Sequence, residues 1–471
     1  MSLLHTLELA AKALSSIRPP GWQRHPIRAG RKAQPRTILV TGATGFIGRH
    51  LCRRLIVMGE RVIVLTRHRR KATNLYGPHV EVVTSLAELE NTRRIDAIVN
   101  LAGASIAGWP WTRRRRRELL DSRLRVTNDL VALIARLEHK PDVLISASAV
   151  GYYGVRADEE VTEADRGQPI FQSHLCQAWE LAAQGAERHG TRVCRLRFGI
   201  VLGTDGGALP GLLRPARWRV ALELGTGAQW ISWIHVRDAL ELIEFCIEHD
   251  HIRGGVNATA PQPIRQAALA AELASRFGRF LSVTVPGGLL RACLGELSQL
   301  LISGQRVVPM KARCAGFTFR YDNVRSALDQ LLRESRQAAE PVSIVYDSSC
   351  PVCDAQISRY CREARGIGLE WRADDAADRP ELLGQYGLDT AAARKRVYVL
   401  DNEGHMASGM QAIVLMWSAL PGWRVLARIA RLPVISPVLD LGYDVVLAPL
   451  VSQWARSRRM RPRAVRARHS Q

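Results

Sequence analysis

The chain has 471 residues, of which 47% are hydrophobic, 23% charged and 6% aromatic, and its formal net charge is +22 at pH 7. This composition is typical of a globular protein with about three domains, and it excludes disordered, collagen-like and disulfide-scaffold proteins. Residues 1–36 carry a net charge of +6 and residues 456–471 a net charge of +7. We interpret both ends as solvated basic segments and expect no specific nucleic-acid binding, because no base-reading module accompanies them.

Cysteine usage and hydrophobicity predict a cytoplasmic, reducing location. The nine cysteines contain one closely spaced pair, Cys350 and Cys353, and show no disulfide framework. Glu8 and Lys12 interrupt the apolar residues at the N-terminus, which argues against a signal peptide. The sequence contains no uninterrupted apolar run of the length that predicts a transmembrane helix, about 18 residues or more.

Residues 37–260 predict a domain in which strands and helices alternate. Short β-rich runs occur at 37–41, 61–66, 96–101, 143–148 and 193–202. Helical patterns cover 46–58 and 114–138. This alternation favours a doubly wound α/β fold around a parallel sheet. Residues 261–332 change to helices with short strands, which predicts a smaller lobe on the substrate side.

Residues 333–341 are polar and predict a linker to a second domain at 342–455. That domain begins with a strand at 342–346, followed by a helix at about 351–365 and a strand at 397–400. Its later part is helical, and the predicted domain ends where the arginine-rich tail begins.

A glycine-rich turn follows the first predicted strand and opens the first predicted helix. Its sequence is Gly42-Ala-Thr-Gly45-Phe-Ile-Gly48. The glycines permit a tight turn, a close approach of the backbone to a pyrophosphate and close packing of helix on strand, while the helix N-terminus faces the phosphates. We therefore predict a dinucleotide site made by Gly42, Thr44, Gly45, Phe46, Ile47 and Gly48.

The end of the second strand indicates which dinucleotide binds. An NAD site has Asp or Glu there for the ribose 2′-hydroxyl, whereas this strand is followed by Thr66-Arg67-His68-Arg69-Arg70-Lys71. A guanidinium suits a 2′-phosphate instead. We predict NADP(H) as the cofactor, with Arg67 on its 2′-phosphate. The alternative is an ordinary solvated basic loop.

Four segments carry a family resemblance: Thr41-Gly-Ala-Thr-Gly-Phe-Ile-Gly48, Asn100-Leu-Ala-Gly103, Ser146-Ala-Ser-Ala-Val-Gly-Tyr-Tyr-Gly154 and Trp233-Ile-His-Val-Arg-Asp238. They resemble the extended short-chain dehydrogenase/reductase superfamily, and more narrowly its epimerase-like bacterial branch, which is labelled cell-division-inhibitor-like. Residues 295–321 resemble the C-terminal lobe of that branch. Over about 37–332 the resemblance implies an NADP-type Rossmann fold with the substrate between two lobes. It also places Asn100, Ala102 and Gly103 along the cofactor.

The catalytic residues of that superfamily are only partly present. It uses Ser or Thr to hold the substrate oxygen, and a Tyr-x-x-x-Lys in which the lysine cation lowers the pKa of the proton-transferring tyrosine. The resemblance puts Ser148 at the serine position, but Gln172 and Cys176 at the Tyr and Lys positions. No lysine occurs between Lys140 and Lys311. The standard proton-transfer pair is therefore absent.

Other residues of the cleft are candidates for these roles. We consider Tyr152 and Tyr153 as substitute catalytic groups, with packing in the cleft wall as the alternative, and we also weigh His174. Arg197 and His235 are candidate substrate-binding groups that favour an anionic substrate, such as a sugar nucleotide or another anionic carbonyl compound. For these two residues a structural ion pair is the alternative.

A second candidate site follows the strand at 342–346. Asp347-Ser-Ser-Cys350-Pro-Val-Cys353 places a Cys-x-x-Cys at a helix start, where the helix dipole and free backbone N–H groups stabilise a thiolate. The second cysteine can then resolve a mixed disulfide. Zinc needs four ligands and only Cys361 is near, so we expect no metal. Inert structural thiols are the other alternative.

Further matches lie downstream at Gly404, Gly409, Leu420-Pro-Gly-Trp423 and Leu441-Gly-Tyr443. Together with the cysteine motif they resemble the DCC family of thiol-disulfide oxidoreductases over about 342–450. The resemblance implies a thioredoxin-like fold with Cys350 as nucleophile, Cys353 as resolving thiol and Asp347 as proton acceptor, and a protein thiol as partner. One departure is that Lys395 and Arg396 stand where a thioredoxin has a proline.

The sequence as a whole predicts two fused modules, an NADP(H)-binding epimerase- or reductase-like domain and a thiol-disulfide oxidoreductase domain. NADPH needs a flavin or similar relay to reduce a disulfide, and no flavin site is evident, so we predict no electron path through both. The alternative is a non-catalytic NADP(H) or redox sensor, docked to a membrane or a protein partner by its basic ends. Residues 423–454 either pack on the second domain or lie on an anionic membrane surface.

Overall fold

The computed structural model describes residues 35–106, 111–278, 280–338, 341–348, 350–366, 369, 371–376, 378, 396–401, 406–430 and 439. The predicted basic ends lie outside these residues, apart from positions 35 and 36. So do Lys395, Gly404 and the segment 441–443. The chain divides into two compact units at the boundary between Leu331 and Leu332.

The strands of the first unit are β1 (Thr37–Thr41), β2 (Arg61–Leu65), β3 (Val80–Val83), β4 (Ala97–Asn100), β5 (Val143–Ala149), β6 (Glu160–Val161), β7 (Arg192–Phe198), β8 (Ile200–Leu202), β9 (Val220–Leu224), β10 (Trp230–Ile231), β11 (Trp233–His235), β12 (Gly254–Ala258), β13 (Ile264–Arg265), β14 (Leu281–Val285) and β15 (Arg306–Val307). The α-helices are α1 (Phe46–Val57), α2 (Arg69–Tyr76), α3 (Arg113–Arg136), α4 (Phe171–Gln184), α5 (Leu209–Arg217), α6 (Val236–Glu248), α7 (Gln266–Ser275), α8 (Gly287–Leu294), α9 (Gln299–Ile302), α10 (Met310–Cys314) and α11 (Val324–Ala338). Short 3₁₀ helices lie at Gly77–His79, Leu86–Glu88, Val150–Tyr153, Gly185–His189 and Gly295–Ser298.

Seven of these strands form one parallel sheet in the order β3-β2-β1-β4-β5-β7-β12. In register, Ile38 of β1 lies between Val62 of β2 and Ala97 of β4. Along the chain, β2 and β3 are added on one side of β1, and β4 and the later strands on the other, as in doubly wound dinucleotide-binding folds. In such folds the ligand binds between β1 and β4, outside the carboxyl ends of the strands. The predicted Rossmann-type α/β fold is confirmed.

The central strands are apolar along their whole length because helices cover both faces of the sheet. On one face, Ile38 and Val40 pack with Leu51 of α1 and Ile243 of α6. On the other face, Leu39 packs with residues of α3. Alternate side chains of one strand thus reach different helix layers, which fixes the register of β1 and the position of the turn that follows it.

The smaller lobe is interleaved with the first domain. Strand β9 pairs with β14, β10 pairs with β13, and β15 pairs with β6. The lobe therefore takes in residues 209–231, on the N-terminal side of the predicted boundary at 260. Phe317 and Phe319, from the last part of this lobe, pack against the hydrophobic core of the large sheet.

Helix α11 continues to Ala338, so most of the segment 333–341, which we predicted as a polar linker, is helical. The segment contains neither glycine nor proline before Pro341, and Arg, Glu, Gln and Ala are good helix formers. A polar composition is shared by linkers and by exposed helical turns, so it could not separate the two.

The second unit contains β16 (Pro341–Tyr346), α12 (Pro351–Arg365), β17 (Arg372–Asp375), β18 (Tyr398–Asp401), β19 (Met406–Ser408), α13 (Gly409–Ala419), a 3₁₀ turn (Pro421–Trp423) and α14 (Arg424–Ala430). Its sheet has the order β17-β16-β18-β19, with β16 parallel to β17 and antiparallel to β18. This β-α-β unit followed by an antiparallel hairpin and a helix is the predicted thioredoxin-like arrangement. Ala427 and Ala430 of α14 pack against Val414 of α13.

Candidate functional site

The glycine turn between β1 and α1 is shaped by two close approaches. Gly42 has φ +69°, and a Cβ atom there would lie 2.5 Å from the carbonyl oxygen of Leu101 after β4. A Cβ atom on Gly48 would lie 2.3 Å from the carbonyl oxygen of Gly42. Only glycine at position 42 permits the turn after β1 to touch the turn after β4. Only glycine at position 48 permits the first turn of α1 to pack on the backbone of Gly42. The turn is therefore a narrow backbone cradle at the switch point of the sheet.

The N-terminus of α1 is open toward this cradle. Gly45 is its N-cap residue, with extended backbone, and no side chain caps the helix. Gly45 is exposed and Thr44 partly exposed, and the first backbone N–H groups of α1 have no carbonyl partner within the helix. Donors of this kind, with the positive end of the helix dipole, fit the pyrophosphate of a dinucleotide.

Phe46 and Ile47 contribute to the site by packing. Ile47 packs on the core, and the ring of Phe46 lies against the loop that follows β8. A Cβ atom on Gly203 would meet Phe46 Cζ at 2.4 Å, and one on Gly206 would meet Cδ2 at the same distance. His50 Nε2 lies 2.9 Å from Asp205 Oδ1 and fastens the same loop to α1. We did not predict this loop, although its glycine cluster directly after a strand was a visible signal.

Arg67 lies where the sequence predicts it, just beyond the carboxyl end of β2. Its side chain is exposed, and within the described ranges it forms no hydrogen bond or ion pair. Arg69, two residues later, is instead paired with Glu88 at 3.0 Å. The position of Arg67 is compatible with a 2′-phosphate contact, and that role stays a prediction.

The side chain of Asn100 is buried inside the protein, and its predicted place along the cofactor stays a prediction. It is fully buried, accepts a hydrogen bond from Thr41 Oγ1 at 2.7 Å and donates one to Thr127 Oγ1 at 2.9 Å. Trp179 Nε1 donates to the same Thr127 oxygen at 3.1 Å. Asn100 thus ties β1 and β4 to helices α3 and α4. The backbone of Ala102, which donates to Thr41 Oγ1, continues into the cleft.

A buried ion pair lies where a catalytic serine and tyrosine were predicted. Arg197 donates to Glu180 through Nε at 2.8 Å and through Nη2 at 2.9 Å. Ser148 Oγ donates to the same carboxylate at 2.8 Å. Arg197 Nη1 also donates to the hydroxyl of Tyr153, which in turn donates to Asn257 Oδ1 at 2.6 Å. All five side chains are buried, so each polar group finds its partner within the protein.

This network corrects three predicted roles. Arg197 has its carboxylate partner in Glu180 and is a structural group, not a substrate-binding one. Tyr153 is fully buried, and burial raises its pKa to about 12, so it is not a proton donor in the cleft. The hydroxyl of Ser148 is held by Glu180 and does not point freely to a substrate oxygen. Tyr152 is half-buried, with its ring centroid 3.5 Å from Arg197 Cζ, and its catalytic role stays a prediction.

His235 is also structural, contrary to its predicted substrate-binding role. It is fully buried and stacked on Tyr321 at 3.9 Å between ring centroids. Nε2 lies 2.8 Å from Gln330 Oε1, and Nδ1 accepts the backbone N–H of Arg237 as the N-cap of α6. Burial lowers its pKa to about 3, so the ring is neutral at pH 7. Through Tyr321 and Gln330, His235 holds the last part of the smaller lobe against the large sheet.

Gln172 and Cys176, which the resemblance places at the Tyr and Lys positions of the superfamily, are both buried. Gln172 is buried, and its Nε2 lies 3.5 Å from Gln299 Oε1 of the small lobe. Cys176 is buried, and burial raises the pKa of its thiol to about 11. His174, the other substitute that we considered, is exposed on α4.

The two cysteines of the Cys-x-x-Cys motif, Cys350 and Cys353, lie at the start of α12, as predicted. Cys350 is the N-cap residue, is 2% exposed and donates its backbone N–H to the carbonyl oxygen of Asp347 at 3.1 Å. Cys353 is partly exposed in the first turn. Burial, and then a hydrogen bond with Cys350, raise the pKa of Cys353 to about 12. Cys353 therefore keeps its proton and can donate it toward the Cys350 sulfur.

Two further observations bear on the kind of site. Among the described residues, no three His, Cys, Asp or Glu side chains are grouped as metal ligands. No helix in the same part of the chain is both long and apolar enough to cross a membrane.

Comparison with known proteins divides the chain in the same way. Residues 38–257 match the NAD-dependent epimerase/dehydratase family, residues 285–331 match a domain of unknown function (DUF1731), and residues 344–455 match the DCC1-like thiol-disulfide oxidoreductase family. The epimerase family protein YfhF of Bacillus subtilis is 37% identical over 301 residues, which are 64% of this chain and 99% of that protein. The chloroplastic SDR39U1 homolog of Arabidopsis thaliana is 36% identical over 326 residues, 68% of this chain and 93% of that protein.

Solved structures agree with this assignment. The human epimerase family protein SDR39U1 (isoform 2) with NADPH superposes with a TM-score of 0.57 and 29% identity, over 63% of this chain and 99% of that one. A nucleoside-diphosphate sugar epimerase from Corynebacterium glutamicum gives a TM-score of 0.52 and 28% identity, over 64% of this chain and 58% of that one. Both predicted family resemblances are confirmed, whereas the narrower cell-division-inhibitor-like branch stays a prediction. The chain therefore belongs to the epimerase family through its first unit, and its second unit carries a DCC1-like thiol-disulfide oxidoreductase domain.

Proposed function

We propose that the first unit binds NADP(H) beside a sugar nucleotide or another anionic carbonyl compound, and that the second unit carries out thiol–disulfide exchange. The observation that carries the first part is the backbone cradle of Gly42 and Gly48 at the open N-terminus of α1, with Arg67 at the end of β2. The NADPH in the similar human structure supports the phosphorylated cofactor. The similar Corynebacterium epimerase supports a sugar nucleotide as substrate.

The residues of this chain divide the binding between them. The backbone N–H groups at the start of α1 bind the pyrophosphate, and Arg67 binds the 2′-phosphate. Ala102 and Gly103 form the floor beyond the pyrophosphate. When bound, the cofactor supplies hydride transfer. The ion pair of Arg197 and Glu180 joins β7 to α4 beneath the cleft.

Replacing Arg67 with alanine is expected to weaken NADPH binding by about 10- to 100-fold, the worth of one hydrogen bond to a charged group, and to leave NADH binding unchanged. Isothermal titration of both nucleotides measures this. Arg69→Ala is the matched control, because Arg69 is paired with Glu88, and it should change neither affinity by more than about twofold. An equal loss for NADPH and NADH, or no loss, would rule out a 2′-phosphate contact.

A specific observation favours a second function for the first unit, namely sensing of NADP(H) without turnover. Gln172 and Cys176 replace the proton-transfer pair, and Ser148 is bound to Glu180. The two functions separate in one assay, in which NADPH absorbance is followed with a panel of carbonyl compounds and sugar nucleotides. Repeated turnover with any of them supports the enzyme. Tight binding with no turnover supports the sensor.

For the second unit, the arrangement of Cys350 and Cys353 supports a dithiol–disulfide cycle. The Cys350 thiolate attacks a partner disulfide, one partner thiolate leaves, and Cys353 displaces the other. The products are the Cys350–Cys353 disulfide and two partner thiols, so the two electrons of the dithiol pass to the partner. The protonated state of Cys353 suits the resolving role, since its proton can be given up in the second step.

Cys353→Ser is expected to accumulate a mixed disulfide at Cys350 when the reduced protein meets glutathione disulfide, because the resolving thiol is missing. Cys350→Ser should form much less adduct at this motif. Mass spectrometry of the intact protein and its peptides measures both. Cys361→Ser, elsewhere on α12, serves as the control and should behave like the wild type. If Cys353 rather than Cys350 carries the adduct in the single variants, the assigned roles are reversed.

A further inference from the structure

Arg123 of α3 lies beneath the loop that follows β4. Its Nη1 donates to the carbonyl oxygen of Leu119 at 2.9 Å, and its Nη2 donates to that of Ala104 at 3.1 Å. A Cβ atom on Gly103 would lie 3.2 Å from Arg123 Cζ, so the absence of that atom makes room for the guanidinium. Arg123 Cζ also lies 5.0 Å from the ring centroid of Trp179 on α4.

The charge of Arg123 has no carboxylate partner in the described part of the chain. Its hydrogen bonds go to two carbonyl oxygens, and no Asp or Glu there forms an ion pair with it. Burial lowers its pKa, and Arg115, a cation on the same helix, adds to this. Arg115 by contrast is paired with Glu118 at 2.8 Å. A half-buried cation without a counter-ion is costly unless a ligand or solvent compensates it.

The strand order says which part of a dinucleotide would lie above Arg123. The adenosine ribose belongs at the end of β2 and the pyrophosphate at the start of α1, after β1. The sheet runs β2-β1-β4-β5, so the nicotinamide half continues toward the ends of β4 and β5. Gly103 and Ala104 follow β4 directly. Arg123, which packs under both, is therefore on the nicotinamide side of the pyrophosphate.

The resemblance to the superfamily places Cys176 of α4 at its lysine position. Burial first, and the Glu180 carboxylate second, raise the pKa of the Cys176 thiol, whereas the guanidinium of Arg123 lowers it. The cation that is missing from α4 is thus replaced, in the same region of the cleft, by a cation from α3.

We propose that Arg123 supplies the positive charge at the nicotinamide end of the cleft and so favours the uncharged ring of NADPH over the positively charged ring of NADP⁺. This inference rests on the proposed binding of NADP(H). The nicotinamide ring of NADP⁺ carries one positive charge more than that of NADPH. The guanidinium of Arg123, which has no carboxylate partner among the described residues, therefore repels the ring of NADP⁺ and not that of NADPH. Arg123 acts through this charge and not through the shape of the site.

The test compares the dissociation constants of NADP⁺ and NADPH in the full chain. Arg123→Met is expected to lower the ratio of these constants, NADP⁺ over NADPH, by about tenfold, the order expected for unit charges roughly 10 Å apart at an effective dielectric constant of about 20. Arg123→Lys keeps the charge and should keep most of the ratio. A merely structural role, through the hydrogen bond to Ala104, would weaken both nucleotides equally in both variants and leave the ratio unchanged.

Two controls make the result decisive. Arg125→Met removes a cation from the same helix that is 79% exposed, and it should leave the ratio unchanged. Arg123→Gln removes the charge but keeps donors for the Ala104 oxygen, so it serves if the methionine variant does not fold. A ratio within twofold of the wild type in the neutral variant overturns the inference. Absence of binding of either nucleotide to the wild type would instead overturn the proposed function.

Discussion

Replacing Arg197 with methionine is expected to lower the free energy of unfolding of the first unit by about 3–5 kcal/mol. The substitution leaves the carboxylate of Glu180 buried without its bidentate partner, and it removes the donor to the hydroxyl of Tyr153. A buried charge that loses its partner costs far more than the pair itself contributes. This outcome would separate a structural Arg197 from the substrate-binding residue that the sequence suggested.

Urea unfolding of the full chain, with hydrogen exchange of the amides of β5 and β7, measures the effect. Arg195→Met is the matched control, because Arg195 is 3.9 Å from the same carboxylate and its side chain is more exposed. We expect a loss of roughly 1 kcal/mol or less there. Adding Glu180→Leu to Arg197→Met should recover part of the loss, since both charges are then gone. If Arg197→Met costs no more than Arg195→Met, the ion pair does not stabilise the fold.

Gly45→Asp is expected to abolish nucleotide binding, with a loss of affinity of at least about 100-fold, while the first unit stays folded. Gly45 is the N-cap of α1, and aspartate is among the best residues at that position. Its Cβ would lie 3.1 Å from the Gly42 carbonyl oxygen, which a shift of a few tenths of an ångström accommodates. The new carboxylate takes the helix N–H groups and repels the pyrophosphate that would use them.

Calorimetric titration with NADPH measures the lost affinity, and thermal unfolding without ligand measures the fold. Gly288→Asp is the control, because a Cβ atom at that exposed helical glycine meets nothing within 4 Å. It should bind NADPH as the wild type does. Retained binding in Gly45→Asp would mean that the phosphates do not lie on the N-terminus of α1.

Local sequence patterns were enough to predict the nucleotide turn and the cysteine motif. In both, a short apolar strand, a turn and a helix start are contiguous, so the residues that form the site are near one another in the chain. Gly42 and Gly48 are dictated by backbone contacts within that stretch and with the turn after β4. The exposure of Cys350 and Cys353 could not be predicted, because it depends on the residues packed around the motif.

The roles of Arg197 and His235 could not be predicted because their partners are distant in sequence. Glu180 is 17 positions before Arg197, and Tyr153 is 44 positions before it. His235 meets Gln330 from 95 positions away. A charged residue near a predicted cleft is compatible with a substrate contact or an internal ion pair, and only the packing of β5, β7 and α4 decides between them.

Thermal unfolding of the full chain with NADPH, NADP⁺, NADH and no ligand is the measurement that tests the nucleotide site most directly. At about 100 times its dissociation constant, NADPH should stabilise the first unit by about 2.7 kcal/mol, and NADH at the same concentration should stabilise it less. The absence of a shift with every nucleotide would contradict a dinucleotide site at the glycine turn and would leave Cys350 and Cys353 as the functional centre of the protein.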